Sequence, residues 1–128
     1  MLPESGRYFI IANSDNHTVA RRRFEDRTLL PKGIYHLPED NRSDPDREGW
    51  LVEKIADDKY KLTTRGDPTG LSKDVDVVAY LLPQPTLDLA WILEPTDLAN
   101  VYLIKALDGT RGWTVGEPNE VNLGPVST

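Results

Sequence analysis

The sequence predicts an all-β chain made of three copies of one unit, and three observations carry that prediction. The first is a repeated tetrapeptide, Trp50-Leu51-Val52-Glu53 and Trp91-Ile92-Leu93-Glu94, each followed at nearly the same distance by a Tyr-x-aliphatic strand start. Those starts are Tyr60-Lys61-Leu62 and Tyr102-Leu103-Ile104, and a third, Tyr8-Phe9-Ile10, opens the chain. Self-similarity at a period near about forty residues marks a fold of repeated supersecondary units. The second observation is negative: no window carries a helical i, i+3, i+4, i+7 stripe, and ten prolines interrupt any that could be drawn. The third is punctuation, with turn residues recurring roughly every eight to twelve positions between short β-rich runs. Because residues two apart on a strand share a face, Tyr8/Ile10, Tyr60/Leu62 and Tyr102/Ile104 should point inward at equivalent places. Trp50/Val52 and Trp91/Leu93 should do the same on the partner strands. Three such layers closing a barrel make a β-trefoil.

The elements follow in order. Residues 8–12 form a β-rich run stopped by Asn13-Ser14-Asp15-Asn16, and residues 18–24 can return as the second arm of a hairpin. Residues 33–38 read as a short strand bracketed by Pro31 and Pro38, and the polar stretch 39–49 as an exposed loop. A strand from Trp50 turns at Asp57-Asp58-Lys59 into a strand from Tyr60, and Arg65-Gly66-Asp67-Pro68 is turn chemistry. Residues 75–82, 91–93, 101–107 and 112–115 complete the strands. The Tyr-to-Trp spacing of the first two units would put a third equivalent Trp beyond Thr128. Either the last strand lies within residues 120–126 without its Trp, or it is missing, which would leave an unpaired edge beside Tyr8.

Composition narrows the function. A length of 128 residues suits one domain spanning 1–128. There is no cysteine, so disulfide and thiolate chemistry are excluded and a reducing, cytoplasmic setting is expected. The N-terminal stretch lacks the basic and apolar regions of a signal peptide, and no apolar run reaches membrane-spanning length. The sequons at Asn16 and Asn41 accordingly read as polar loops. A net charge of −6 argues against nucleic acid as a partner. No phosphate-cradling loop, nucleophile elbow or His-Glu-x-x-His motif occurs. The two histidines, His17 and His36, have no companion ligands at metal spacing, so neither a metal nor another cofactor is expected. The acidic pairs Asp57-Asp58 and Asp74/Asp76 are explained by turn solvation. The chain reads as a monomeric binding protein rather than an enzyme.

One segment stands out in this acidic sequence. Arg21, Arg22, Arg23 and Arg27 fall within seven residues. On a strand, Arg21 and Arg23 share one face and Arg22 the other, so the triplet cannot make a single flat patch. Taken alone, these residues are a solvated strand with weak ion pairs to Glu25 and Asp26. Arg27 lies in the loop beyond, between Asp26 and Thr28 and shortly before Pro31.

Five stretches resemble a known family: Ser5-Gly6-Arg7-Tyr8-Phe9-Ile10, Leu29-Leu30-Pro31-Lys32, Trp50-Leu51-Val52-Glu53-Lys54 with Tyr60-Lys61-Leu62, Trp91-Ile92-Leu93-Glu94-Pro95, and Gly112-Trp113-Thr114. The family is that of the mushroom β-trefoil serine-protease inhibitors, the mycospins. The resemblance implies a cytoplasmic fungal defence protein that inhibits trypsin-like serine proteases through one exposed Arg or Lys loop. Such a protease accepts a protruding cation because an aspartate lies at the base of its specificity pocket. Arg27 is then the residue before the scissile bond, P1, with Asp26 at P2 and Thr28 at P1′. Arg23 and Lys32 are the fallback P1 residues. Two other classes compete. A carbohydrate-binding trefoil lectin of the ricin type would show Gln-x-Trp, where this chain has Glu48-Gly49-Trp50 and Leu89-Ala90-Trp91. A cysteine-protease inhibitor on the same scaffold would use glycine-containing loops in place of an arginine.

Overall fold

A computed structural model of the chain describes residues 2–11, 18–21, 25–37, 49–71, 77–82, 89–107, 111–115 and 121–125. They form twelve strands and no helix. The first unit holds β1 (Gly6–Ile11), β2 (Thr18–Ala20), β3 (Lys32–Gly33), β4 (Tyr35–Leu37) and β5 (Gly49–Lys54). The second holds β6 (Lys59–Thr64), β7 (Asp67–Leu71), β8 (Val77–Ala79) and β9 (Trp91–Pro95), and the third β10 (Tyr102–Lys105), β11 (Arg111–Val115) and β12 (Val121–Pro125). The strand foreseen at 33–38 is split at Ile34, so that β3 pairs with β8 of the second unit while β4 pairs with β2 of the first. The loop expected at 39–49 lies almost wholly outside the described residues.

Five strands run side by side and antiparallel, in the order β1-β5-β6-β9-β10. Tyr8 is opposite Trp50 across β1 and β5, and Tyr60 is opposite Trp91 across β6 and β9. The repeat in the sequence is therefore a repeat in register. Alternation along β5 and β9 buries Trp50, Val52, Trp91 and Leu93, while the residues between them stay half-exposed or exposed. These side chains join Tyr60, Leu62, Val19, Ile34, Val77, Ala79 and Ala106 in one core. Each buried indole also needs a partner for its N–H. Trp50 Nε1 donates to the Val19 carbonyl at 2.7 Å and Trp91 Nε1 to Thr69 Oγ1 at 2.9 Å. Val19 is on β2 and Thr69 on β7, the second strands of their units.

The three tyrosines are not equally buried, contrary to the expectation of equivalence. Tyr60 is fully covered, whereas Tyr8 is 41% exposed and Tyr102 half-buried. The reason lies in strand neighbours. Tyr60 is paired on both flanks, to Lys54 of β5 and Trp91 of β9, while Tyr8 and Tyr102 are each paired on one. Among the described residues they stand on the two outer strands of this five-strand run. Burial pushes the Tyr60 phenol above its ordinary pKa, with nearby Tyr102, Tyr8 and Asp58 adding to the shift, and its hydroxyl donates to the Pro3 carbonyl at 2.6 Å.

Residues 120–126 were one candidate for the closing strand. Instead β12 pairs with β11 along its whole length as a hairpin, and no described strand joins β10 to β1. The middle of the barrel is filled from elsewhere. The Trp113 ring sits 5.2 Å from Trp91, edge-on, and 5.8 Å from Trp50. Carrying the Lys105–Gly112 register one residue further sets Trp113 against Ile104, as Val19 is set against Ile10. The third unit thus supplies its indole from its second strand.

Candidate functional site

The chain leaves β2 at Ala20 and re-enters the sheet at β3, and the described part of the connection is Arg21 together with residues 25–31. Its outer turn is fully solvent-facing. Arg27 is exposed and makes no hydrogen bond or ion pair among the described residues, and Leu29 and Leu30 are 59% and 65% exposed. Exposure alone would describe a loose loop, but this one is bonded to itself. The Asp26 carboxylate accepts from the Thr28 amide at 3.0 Å and from the Thr28 hydroxyl at 2.6 Å, an Asx-type turn that bends the chain around Arg27. The Leu30 amide points at Thr28 Oγ1, 3.4 Å away.

Beneath the turn lies Lys32, only 6% exposed. Its ammonium donates to the Asp26 carbonyl at 3.2 Å, to Thr28 Oγ1 at 3.2 Å and to the Asp26 carboxylate. An ammonium has three hydrogens, so its donors are used up by the two residues flanking Arg27. The Lys32 hydrogen bond, followed by those from Thr28, holds the Asp26 carboxyl down at about 2. Lys32 is itself fixed by its place in β3, opposite Ala79.

The other limb of the loop is held by Arg21, which is 4% exposed. Its guanidinium grips both Glu25 carboxylate oxygens, at 3.1 and 2.7 Å, and reaches Asp67 at 2.8 Å and the Thr64 carbonyl at 3.1 Å. Burial works against the charge, but the bonds to Glu25 and Asp67 outweigh it and the guanidinium is held above its ordinary pKa. Thr64 and Asp67 bracket a two-residue hairpin turn, Arg65-Gly66, whose residues have φ of 51° and 83°. Positive φ at both central positions is what a type I′ turn requires, and it matches the twist of the strands. Arg65 adds an ion pair to Glu25 at 3.6 Å. Both limbs of a first-unit loop are therefore fastened to the second unit.

The placement of the sequence candidates is mixed. Asp26, Arg27 and Thr28 come together on one exposed turn. Lys32 is turned inward, and its ammonium is occupied by the turn instead of being presented to a partner. Arg23 lies outside the described residues. Arg21 is not on a solvated face as the sequence suggested: it pairs with Glu25, as foreseen, and with Asp67 in place of Asp26. The roles of Arg21 and Asp67 depend on a contact between residues 46 apart in sequence, for which no local pattern exists. Among the described residues no group of His, Cys, Asp and Glu could hold a metal ion. A depression lined by Arg7, Leu51, Thr63 and Arg65 brings together no acid–base pair.

A barrel of pseudo-repeated antiparallel strands that presents an internally braced loop has the build of a β-trefoil binding protein. Comparison with known proteins gives the class its name. The model of the peptidase inhibitor I66 family matches residues 1–127, and the chain belongs to that family. It is a protease inhibitor, not an enzyme, and its partner is a protease. Among solved structures, a proteinase inhibitor from Coprinopsis cinerea is 30% identical with a TM-score of 0.81, the match covering 98% of this chain and 86% of that one. The designed threefold-symmetric protein ThreeFoil (16% identity, TM-score 0.65, covering 95% and 89%) is similar in fold. So is a Polyporus squamosus lectin (19%, 0.66, covering 100% and 46%). No curated protein matches.

Proposed function

We propose that the protein inhibits trypsin-like serine proteases by a substrate-like mode, with Arg27 as P1, Asp26 as P2 and Thr28 as P1′. The observation that carries this reading is an exposed arginine, without an ion pair among the described residues, between two residues that a single buried ammonium holds in place. A protruding cation fits an aspartate-based specificity pocket, and a loop ordered beforehand loses little entropy on docking. An arginine anchored in such a pocket is a typical hot spot, worth at least about 2 kcal/mol of binding. Because Arg27 is exposed and makes no hydrogen bond or ion pair among the described residues, its replacement should cost stability no more than about 0.5 kcal/mol.

The test is an inhibition assay against trypsin and papain in parallel, with wild type and Arg27→Glu. Trypsin is inhibited by the wild type and released by the substitution, with the thermal midpoint unchanged. Inhibition of papain alone would replace this reading by a cysteine-protease inhibitor. Loss of trypsin inhibition on changing Arg23 but not Arg27 would move the site along the same segment.

A further inference from the structure

The hydrogen bonds around Arg27 are arranged about one covalent bond, the peptide linkage from Arg27 to Thr28. On its acyl side, the Asp26 carbonyl accepts from Lys32 Nζ at 3.2 Å. On its amine side, Thr28 Oγ1 accepts from the same Nζ at 3.2 Å. The Thr28 nitrogen, which would be the leaving group, rests 3.0 Å from Asp26 Oδ1. Lys32 therefore straddles the bond a serine protease would cut, from a buried position that β3 fixes against β8.

We infer that Lys32 is a positioning residue that keeps the loop resealable, so that a serine protease cutting after Arg27 returns the intact chain instead of releasing two ends. The inference rests on the reading of Arg27 as P1. In the forward step the protease serine oxygen bonds to the Arg27 carbonyl carbon. The carbon–nitrogen bond to Thr28 breaks, and the Thr28 nitrogen leaves as an amine carrying the proton that the protease's general base took from the serine. With an ordinary substrate that amine diffuses away and water takes its place, giving a free carboxylate. Here Lys32 and Asp26 keep the amine beside the acyl carbon. The amine attacks the ester, the carbon–nitrogen bond re-forms, and the serine leaves with its proton restored. Holding a nucleophile in place raises its effective concentration far above that of a freely diffusing group, so resealing outruns hydrolysis.

The experiment uses the full chain, trypsin as the probe, and the variants Lys32→Met and Asp26→Ala. Methionine keeps the buried stem volume, and the Asp26 side chain left behind is 66% exposed and stays hydrated. Asp26→Ala is a surface change that tests the same bonds if Lys32→Met folds poorly. Intact mass over time follows clipping, with the new N-terminus at Thr28, and residual trypsin activity follows inhibition. Both variants are expected to be clipped at least about tenfold faster than wild type and to lose inhibition as they are cut. Purified clipped wild type, returned to a catalytic amount of trypsin, regains intact mass; clipped Lys32→Met does not. That resealing is a readout that loss of stability alone would not move. The inference is overturned if both variants inhibit and resist clipping like wild type while Arg27→Glu abolishes inhibition, or if clipped wild type is never resealed. A wild type that inhibits no trypsin-like protease overturns the assignment of Arg27 itself, before any variant is made.

Discussion

The first two units and the third solve the same packing problem differently. In the first two, a tryptophan from the last strand reaches across the barrel and hands its N–H to the second strand, to the Val19 carbonyl or to Thr69. In the third, the second strand itself carries the indole, Trp113, and its N–H is buried without a partner among the described residues. The volume at the centre is filled in all three cases. Only the polar bookkeeping is incomplete in the third. The lesson is that the core of this fold demands three large rings at one level but is indifferent to which strand brings them, because packing is set by volume and hydrogen bonding by direction.

That contrast can be broken most forcibly at the regular positions. Trp91→Ala or Trp50→Ala removes a fully buried ring and should cost about 3–5 kcal/mol in chemical denaturation. Trp113→Ala should cost clearly less, since its ring is only partly buried. Equal losses at all three sites would mean that the third unit is as fully built as the others.

Next in size is the fastening between the first two units, for which the third has no described counterpart. Arg21→Met strips a buried cation from Glu25 and Asp67. Those carboxylates keep 15% and 25% of their side-chain surface in water, and Arg65 still faces Glu25. The expected loss is therefore about 2–3 kcal/mol, below the roughly 3–5 kcal/mol of breaking a fully buried pair. A change within about 0.5 kcal/mol would place Arg21 among ordinary surface ion pairs.

A smaller effect separates the indoles by their N–H groups. Trp113→Phe removes a donor that has no partner among the described residues and should change stability by less than about 1 kcal/mol, whereas Trp50→Phe also takes a donor from the Val19 carbonyl and should cost more. The two phenylalanine variants compared by thermal melt give the sign directly.

The mildest prediction concerns pH and the loop. Asp26 has its folded pKa lowered to about 2 from an ordinary 3.8, so its contribution is complete above the ordinary value and lost as pH falls through about 2. The Thr28 amide resonance should move with that midpoint, and Lys32→Met should raise it toward the ordinary carboxylate value. A Thr28 midpoint already near 3.8 in wild type would dissolve the Lys32–Asp26 bond as a feature of the solution structure.

How much of this could be read from the sequence follows from the range of each interaction. Trp50 and Trp91 were legible because a strand's period repeats within a few residues and the copies confirm one another. Tyr8 was read as buried by the same logic, wrongly, because burial at that place depends on a second neighbouring strand, which no motif in residues 6–11 encodes. The Asp26-Arg27-Thr28 turn was legible as a proline-bounded loop. Lys32 could be seen only as one more cation, since nothing local distinguishes a lysine that braces a loop from one that points away. Arg21 was misread for the same reason at longer range: its decisive partner, Asp67, is on a hairpin of another unit. Trp113 was noted as a motif, but its substitution for a last-strand tryptophan is a fact about register, visible only when β10 and β11 are laid side by side.

The convergence of Trp50, Trp91 and Trp113 has an optical consequence. They are the three tryptophans of the chain, and Trp113 lies within ring-contact distance of both others, so the protein's indole emission arises from one cluster of rings in the core. The Arg27 loop contains no tryptophan. Engagement of a protease there should leave the inhibitor's own emission spectrum in place, while any opening of the barrel should shift it toward the red and abolish the near-ultraviolet circular dichroism of the ordered rings. The chain therefore reports the integrity of its scaffold in a spectral channel separate from the activity of its loop.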